Sequence, residues 1–286
     1  MAGGRRTGPV LITGCSSGIG RAAAVSLHDA GLRVYATARR VDTLADLASR
    51  GIATLALDVT DETSMAEAVA AVEADAGSVG TLVNNAGYGL YGPVEQVPMA
   101  EVRRQLETNF FGLVRLTQLV LPGMRRRRGG RILNVSSMGG RATLPGGAFY
   151  HASKYAVEAF SDALRMEVAQ FGIEVVLIEP GPVKTPWTDT AAGSLGDAVS
   201  GPEADPYAAY KAAVGASFGR TTSGFVSRLG SDAQDIAKVI TRAVTARRPR
   251  TRYLINPVAK SVVTLNRLLP GRAYDAVIRR QYGLPG

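Results

Sequence analysis

A glycine-rich stretch near the amino terminus reads Thr13-Gly14-Cys15-Ser16-Ser17-Gly18-Ile19-Gly20. It follows an apolar run at 10–12, which predicts a short buried strand, and it precedes a pattern at 19–30 that predicts a helix. Glycines at such a turn let the backbone approach a pyrophosphate, and a helix N-terminus presents free N–H groups and a positive dipole end. The stretch therefore predicts a phosphate-binding loop, although a plain tight turn would also use glycines.

Strand and helix patterns alternate from this loop onward. Further buried strands are predicted at 32–37, 52–57, 81–83, 131–135, 174–178 and 252–255. Further helices are predicted at 41–50, 60–76, 99–128, 148–171 and 232–247, and Pro122 is expected to kink one of them. This alternation predicts a single α/β domain, a Rossmann-like doubly wound parallel sheet with helices on both faces.

Three parts of this domain are distinguished by their patterns. A core covers about 9–256, and inside it the segment at about 185–230 loses the alternation and is rich in Ala, Gly and Ser. An excursion of that size predicts a lid over a binding site. The last part, about 257–286, predicts one or two basic amphipathic helices that divide near Pro270.

Composition limits the chemistry that the chain can carry out. A single cysteine, Cys15, excludes a disulfide framework, and with two histidines it leaves few of the usual zinc ligands. We therefore expect no metal site, and redox chemistry would need an organic cofactor. Cys15 itself is interpreted as a small residue that fills space in the loop.

The formal charge of +9 permits two interpretations, a nucleic-acid binder or a basic enzyme that prefers phosphorylated ligands. The densest basic run, 125–128, ends a predicted helix, where cations suit the negative end of the helix dipole. We favour the enzyme and expect no nucleic-acid partner. No apolar run approaches the ~20 residues of a membrane span and no secretory h-region is found, so a cytoplasmic location is predicted. The basic tail could still contact a membrane surface.

The end of the second predicted strand bears on the choice of dinucleotide. Sites for NAD(H) in this architecture place an acidic residue there to hold the ribose hydroxyls. Here Ala38 stands in that place and Arg39 follows it. A guanidinium can pair with a 2′-phosphate, whereas a carboxylate would repel it, so NADP(H) is favoured over NAD(H).

A tyrosine and a lysine at one-turn spacing, Tyr150 and Lys154, begin the long helix at 148–171. The spacing alone is weak evidence, because Tyr207 and Lys211 repeat it. Only the first pair follows a predicted strand, and Ser137 stands at the carboxyl end of that strand, where ligands bind in open α/β sheets. We therefore interpret the second pair as lid surface.

Two neighbours compete for a catalytic role. Ser136 should point to the opposite face of the extended strand from Ser137. His151 is adjacent to Tyr150 on a helix and should point elsewhere. We favour Ser137 and Tyr150.

The order of these motifs resembles the short-chain dehydrogenase/reductase family over about residues 9–185. The resemblance rests on the loop at 13–20, Asn84-Asn85-Ala86-Gly87, Asn109, Ser137, Tyr150 with Lys154, and Pro180-Gly181. It implies an oxidoreductase that interconverts a ketone or aldehyde and an alcohol, with Tyr150 as the acid/base. The ammonium of Lys154 would lower the pKa of Tyr150 and bind the nicotinamide ribose, and Ser137 would hold the substrate oxygen.

The resemblance also implies the remaining site residues. Asn109 would bind a water that links Lys154 to solvent. Asp58 and Val59 would contact adenine. Cofactor contacts are implied for Gly14, Ser16, Ser17, Gly18, Ile19, Gly20, Arg39, Asp58, Val59, Asn85, Ala86, Gly87, Tyr150, Lys154, Pro180, Gly181, Val183 and Thr185.

The substrate wall is expected at 88–91, at 138–147 and in the lid at 186–225. Its apolar members predict a lipophilic cavity; they are Leu90, Leu144, Trp187 and Phe218. A looser resemblance to the hydroxysteroid and retinol dehydrogenase branch favours a lipophilic ketone or alcohol as the small-molecule substrate. Two alternatives remain: a reductase of carrier-bound acyl or polyketide carbonyls, and a non-catalytic redox sensor that binds NADP(H). The family also implies a homo-oligomer that associates through the two long helices.

Overall fold

The structure is a computed structural model that describes residues 8–184, 186–196, 205–222 and 230–284. Within these ranges its strands are β1 Val10–Ile12, β2 Val34–Ala38, β3 Ala53–Ala56, β4 Thr81–Asn84, β5 Gly130–Val135, β6 Ile173–Pro180, β7 Val183–Lys184, β8 Ser231–Asp232 and β9 Arg252–Ile255. Seven of them form one parallel sheet in the order β3-β2-β1-β4-β5-β6-β9, and β7 pairs with β8. The predicted Rossmann-like sheet is confirmed.

The strand order reverses between β1 and β4, which are direct neighbours in register Leu11 to Leu82. In open α/β sheets a crevice forms at this switch point, outside the carboxyl ends of the strands. The loops that follow β1, β4 and β5 therefore open into one crevice.

The helices cover both faces of the sheet. They are α1 Gly18–Asp29, α2 Ala45–Ser49, α3 Glu62–Ala76, α4 Met99–Leu106, α5 Gly112–Arg126, α6 Ala148–Val168, α7 Pro186–Gly196, α8 Ala208–Thr222, α9 Ala233–Thr245, α10 Pro257–Leu268 and α11 Gly271–Tyr282. The helix predicted at 41–50 is instead a 3₁₀ turn, Val41–Leu44, followed by the short α2. The long helix predicted at 99–128 contains a π-helical segment, Glu107–Phe111, between α4 and α5.

Alternate side chains of β1 enter two separate cores. Val10 and Ile12 pack with residues of α1 and α9, whereas Leu11 packs on the other face with residues of α3, α5 and α6. All three β1 side chains are fully buried. A strand that is apolar on both faces is expected when helices cover both faces of a parallel sheet.

The tail forms two helices, α10 and α11, which end and begin on either side of Pro270. They pack on the loop that follows β5. The Tyr274 hydroxyl donates to the Thr143 carbonyl oxygen at 3.0 Å, and Asn266 Nδ2 donates to the Arg141 carbonyl oxygen at 3.0 Å. The tail therefore supports one wall of the crevice.

The described part of the predicted lid consists of α7 and α8. Phe225 and Thr185 lie outside the described residues. Over the ranges that the structure describes, no helix has both the length and the apolar character needed to cross a bilayer.

Candidate active site

A cleft of about 760 Å³ opens at the carboxyl ends of the central strands. It runs from the glycine-rich loop after β1 to the start of α6. Its lining includes most of the predicted cofactor residues: Gly14, Ser16, Ser17, Gly18, Ile19, Arg39, Asp58, Val59, Asn85, Ala86, Gly87, Tyr150, Lys154, Pro180, Gly181 and Val183. Gly20 is buried below the loop, and Thr185 lies outside the described residues.

Glycines shape the loop at one end of this cleft. Gly14 and Gly18 have φ of +72° and +57°, which side chains rarely adopt. A β-carbon on Gly20 would overlap the Gly14 carbonyl oxygen, so the first turn of α1 can lie against the loop only with glycine there. Ser16 and Ser17 are exposed to the cleft at the start of α1, where N–H groups and the helix dipole favour a phosphate.

The loop after β4 is tied to this turn. Asn85 Nδ2 donates to the Thr13 carbonyl oxygen at 2.9 Å, and Thr13 Oγ1 accepts from the backbone N–H groups of Asn85 and Ala86, both at 3.0 Å. These bonds hold the two loops that would flank a dinucleotide in a fixed relation.

The end of β2 forms the far rim of the cleft. Ala38 is buried, and Arg39 is exposed and lines the cleft. Across from them Asp58 Oδ1 accepts from the Thr60 N–H at 2.9 Å, which fixes the turn after β3. The rim thus presents a guanidinium next to Ala38, the position at which an acidic residue would select NAD(H).

Ser137, Tyr150 and Lys154 come together at the other end of the cleft. Ser137 is the second residue after β5 and has an extended conformation, and its Oγ accepts from the Gly139 N–H at 3.0 Å. Tyr150 stands in the first turn of α6 and Lys154 one turn later. The Lys154 Nζ donates to the Val135 carbonyl oxygen at 2.8 Å and lies 5.9 Å from the centre of the Tyr150 ring.

Burial dominates the electrostatics of these groups. It raises the pKa of Tyr150 to about 12, and a hydrogen bond with Ser137 acts in the opposite direction. Burial lowers the pKa of Lys154 to about 8, and the charge of Glu158 opposes that change. The sequence led us to expect a net lowering of the tyrosine pKa by the ammonium. In the folded chain, desolvation of the phenolate is the larger effect.

Asn109 lies in the π-helical segment and is 1% exposed. Its Oδ1 accepts from the Tyr88 N–H at 3.0 Å, and its Nδ2 donates to the Tyr88 carbonyl oxygen at 2.9 Å and to Ser153 Oγ at 3.1 Å. The side chain therefore connects the loop after β4 to α6 and does not line the cleft.

The competing residues have other partners. A β-carbon on Gly140 would lie 2.8 Å from Ser136 Oγ and 2.9 Å from Glu158 Cγ, so Ser136 Oγ and Glu158 face the same glycine. His151 Nδ1 accepts from the Leu144 N–H at 3.3 Å, and burial lowers the pKa of His151 to about 4. The neutral imidazole of His151 therefore supports the loop after β5, which contains Leu144.

The second tyrosine–lysine pair lies at the start of α8, within the segment that the sequence predicts to be a lid. The Tyr207 hydroxyl donates to Glu95 Oε2 at 2.7 Å, and Lys211 Nζ lies 2.8 Å from Asp205 Oδ2. The contact with Glu95 ties the start of α8 to the body of the protein, and the contact with Asp205 is local.

Aromatic rings surround the phenol of Tyr150. The ring of Tyr91 lies 5.8 Å from that of Tyr150 and 5.0 Å from that of Phe218, and Trp187 lies 5.2 Å from Tyr150. Leu144 also lines the cleft, whereas Leu90 packs elsewhere with Val97 and Val102. The expectation that Leu90 faces the substrate is therefore wrong.

Tyr282, in the last turn of α11, also lines the cleft. Sequence reasoning missed it, because no local pattern links a tail residue to a pocket formed by elements much earlier in the chain. Among the residues that the structure describes, no group of three or more His, Cys, Asp or Glu side chains is placed to hold a metal ion.

Comparison with known proteins agrees with this arrangement. The family model for short chain dehydrogenases matches residues 9–196. Bovine retinol dehydrogenase 8 is 36% identical over 289 aligned residues, which cover 94% of this chain and 88% of that protein.

Two solved structures are also similar. A short-chain dehydrogenase from Streptomyces avermitilis has a TM-score of 0.76 and 32% identity, covering 96% of this chain and 94% of that one. The closed form of a serine dehydrogenase complexed with NADP⁺ has a TM-score of 0.73 and 26% identity, covering 87% of this chain and 95% of that one.

Proposed function

The chain belongs to the short-chain dehydrogenase family, an oxidoreductase family, and on that premise we propose that it interconverts a lipophilic ketone or aldehyde and the corresponding alcohol with NADP(H). The observation that carries the proposal is the meeting of Ser137, Tyr150 and Lys154 in one cleft with the glycine-rich loop.

The cleft has the features that a dinucleotide needs. The loop glycines leave space for a pyrophosphate against the start of α1, and the hydroxyls of Ser16 and Ser17 lie beside it. Arg39 would pair with a 2′-phosphate, which favours NADP(H) over NAD(H). The similarity to a serine dehydrogenase solved with NADP⁺ supports this preference.

When bound in this cleft, NADPH would supply the hydride that the carbonyl carbon receives. Tyr150 donates the proton to the carbonyl oxygen in reduction and accepts it in oxidation. Ser137 holds the same oxygen, because its Oγ lies beside the phenol at the carboxyl end of β5. A phenol whose pKa is raised to about 12 by burial stays protonated near neutral pH, which suits proton donation.

Lys154 and Asn109 act behind the tyrosine. The ammonium of Lys154 would bind the nicotinamide ribose and stabilise the phenolate. Asn109 keeps the loop after β4 in contact with α6 through Tyr88 and Ser153. We assign Asn109 to the catalytic set through this position in the π-helical segment, since such segments recur at functional sites.

The substrate wall favours an apolar carbonyl compound. Tyr91, Trp187 and Phe218 present ring faces and edges around Tyr150, which suits a flat or aliphatic hydrophobe better than a charged one. The similarity to retinol dehydrogenase 8 agrees with a lipophilic substrate.

The test is NADPH oxidation by the purified protein over a panel of free ketones and aldehydes and one carrier-bound β-ketoacyl substrate. Tyr150→Phe should abolish turnover while Tyr207→Phe, at the repeated motif, should keep it. Faster turnover of the carrier-bound substrate would favour the acyl reductase alternative. NADPH binding without turnover of any substrate would favour the redox sensor.

We further propose that the protein is a homo-oligomer that associates through its long helices. Phe111 and Met166 are 51% and 74% exposed on these helices, and Tyr155 is 41% exposed. Large apolar side chains of this exposure suit an interface between copies. Light scattering after size exclusion would give the mass, and a monomer at micromolar concentration would contradict the proposal.

A further inference from the structure

Two buried carboxyl groups, Glu158 on α6 and Glu179 near the end of β6, lie behind the proposed catalytic groups. Glu158 is 6% exposed and Glu179 is fully buried. The Nε of Arg252 lies 3.3 Å from Glu158 Oε2 and 3.0 Å from Glu179 Oε1. One guanidinium N–H group thus lies between two carboxyl groups.

Glu158 and Glu179 do not each have a guanidinium of their own. Arg252 also uses its Nη2 to bind Asp162 at 2.5 Å. Arg141 approaches Glu179 only at 3.4 Å. Arg252 is thus divided among three carboxyl groups, and Arg141 contacts only one of the buried pair, so ionising both buried carboxyl groups carries an electrostatic cost that favours a proton on one of them.

The same pair is close to the catalytic lysine. Tyr150, Lys154 and Glu158 follow one another at intervals of four residues, so they share one face of α6. A β-carbon on Gly140 would lie 2.9 Å from both Glu158 Cγ and the Lys154 carbonyl oxygen, which shows how tightly this region is packed. Charges interact strongly in such a dry interior.

We propose that Glu158 and Glu179 share one proton, and that Glu158 is a positioning residue whose ionised form keeps the Lys154 ammonium protonated. The inference rests on the proposed function, because Glu158 would act on the reaction only through Lys154.

The electrostatics of the cluster agree with this geometry. Burial, followed by repulsion from Glu179, raises the pKa of Glu158 to about 7, and burial also raises the pKa of Glu179. Conversely, the charge of Glu158 raises the pKa of Lys154 against the effect of burial. The charged and titratable groups that interact with Glu158 are Lys154 and Tyr155 on its own helix, Glu179 on β6 and Arg252 on β9, and Arg141 and Asp162 contact Glu179 and Arg252 in turn.

The shared proton has a signature in stability. A carboxyl group with a raised folded-state pKa stabilises the fold below its unfolded-state pKa, and this contribution is lost as pH rises through the folded-state value. We expect this contribution to give a fall in the urea midpoint of the wild type between about pH 5 and about pH 8, superposed on an opposite change from the buried His151, whose pKa is lowered to about 4 and which is present in every variant. Glu158→Gln should flatten this fall, and Glu179→Gln should shift it to lower pH. Glu167→Gln, which removes an exposed carboxylate from the same helix, should leave it unchanged.

The effect of Glu158 on the pKa of Lys154 can be measured without catalytic turnover. The protein has five lysines, so the titration of Lys154 can be followed by NMR of ¹³Cε-labelled lysine and assigned with Lys154→Met. Glu158→Gln should lower the pKa of Lys154 by about one unit, and Glu167→Gln should not change it.

The two readouts decide the inference. An unchanged pH dependence of the urea midpoint in both Glu158→Gln and Glu179→Gln would overturn the shared proton. An unchanged Lys154 titration in Glu158→Gln would overturn the positioning role. A wild type that reduces no carbonyl compound would count against the proposed function alone, since neither readout depends on turnover.

Discussion

The Nζ of Lys154 donates a 2.8 Å hydrogen bond to the carbonyl oxygen of Val135, the last residue of β5. This bond fixes the end of a flexible side chain against the strand that delivers Ser137. The lysine is 6% exposed, so its charge acts in a medium of low dielectric constant. The contact places the ammonium beneath the Tyr150 ring, where it can favour the phenolate.

Replacement of this lysine is the first test of the mechanism. We expect Lys154→Met to reduce kcat/KM for carbonyl reduction by about 100-fold or more, because the phenol loses its neighbouring charge. The fold should persist, since methionine fills a similar volume and removes a buried ammonium. Steady-state NADPH oxidation and circular dichroism measure both effects. Lys211→Met, at the repeated spacing, is the matched control, and equal losses in the two variants would contradict the assignment.

Much of the fold could be predicted because its signals are local. The apolar run of β1, the glycines after it and the alternation of strands and helices all lie within short windows. Where the local signal is weak, the prediction was wrong, as for the single helix predicted at 41–50. Its polar, weakly periodic residues form a 3₁₀ turn, Val41–Leu44, before α2 begins.

The site was predictable where a motif joins neighbouring elements and not where distant elements meet. Ser137, Tyr150 and Lys154 lie close in sequence, and the structure brings them together. Tyr282 reaches the cleft only because α11 packs on the loop after β5. Glu158 meets Glu179 only because α6 packs against β6, which no local pattern encodes.

A pH profile tests the contact between Ser137 and Tyr150. Their hydrogen bond lowers a phenol pKa that burial raises, so Ser137→Ala should raise that pKa further. Oxidation needs the phenolate as base, and its rate should therefore rise with pH in the wild type. In the variant this rise should move to higher pH by about one unit or more. Ser137→Thr keeps a hydroxyl and should restore the profile, and identical profiles for all three proteins would refute the contact.

Cofactor selection depends on Arg39. We expect Arg39→Ala to weaken NADPH binding by about 10- to 100-fold, because a charge-assisted hydrogen bond to the 2′-phosphate is lost. NADH, which has no 2′-phosphate, should bind equally well to both proteins. Fluorescence titration with each cofactor measures the ratio of the dissociation constants for NADPH and NADH. Arg40→Ala, the adjacent exposed arginine, serves as the control, and a parallel loss for NADH would show that Arg39 does not select the phosphate.

The tail should set the size of substrate that the cleft accepts. Tyr282 lines the cleft from α11, and its removal would widen the space beside Tyr91. Tyr282→Ala should lower KM for bulky ketones relative to small ones, with little change in kcat for the small ones, because the reacting groups are untouched. A series of cyclic ketones of increasing size measures the effect.

Tyr274→Phe is the control, because it removes only the hydrogen bond to the Thr143 carbonyl oxygen. It should lower the free energy of unfolding by about 1 kcal/mol and leave the size preference intact. If both variants shift the preference equally, the tail acts by supporting the loop after β5, and the direct contact of Tyr282 with substrate is disproved.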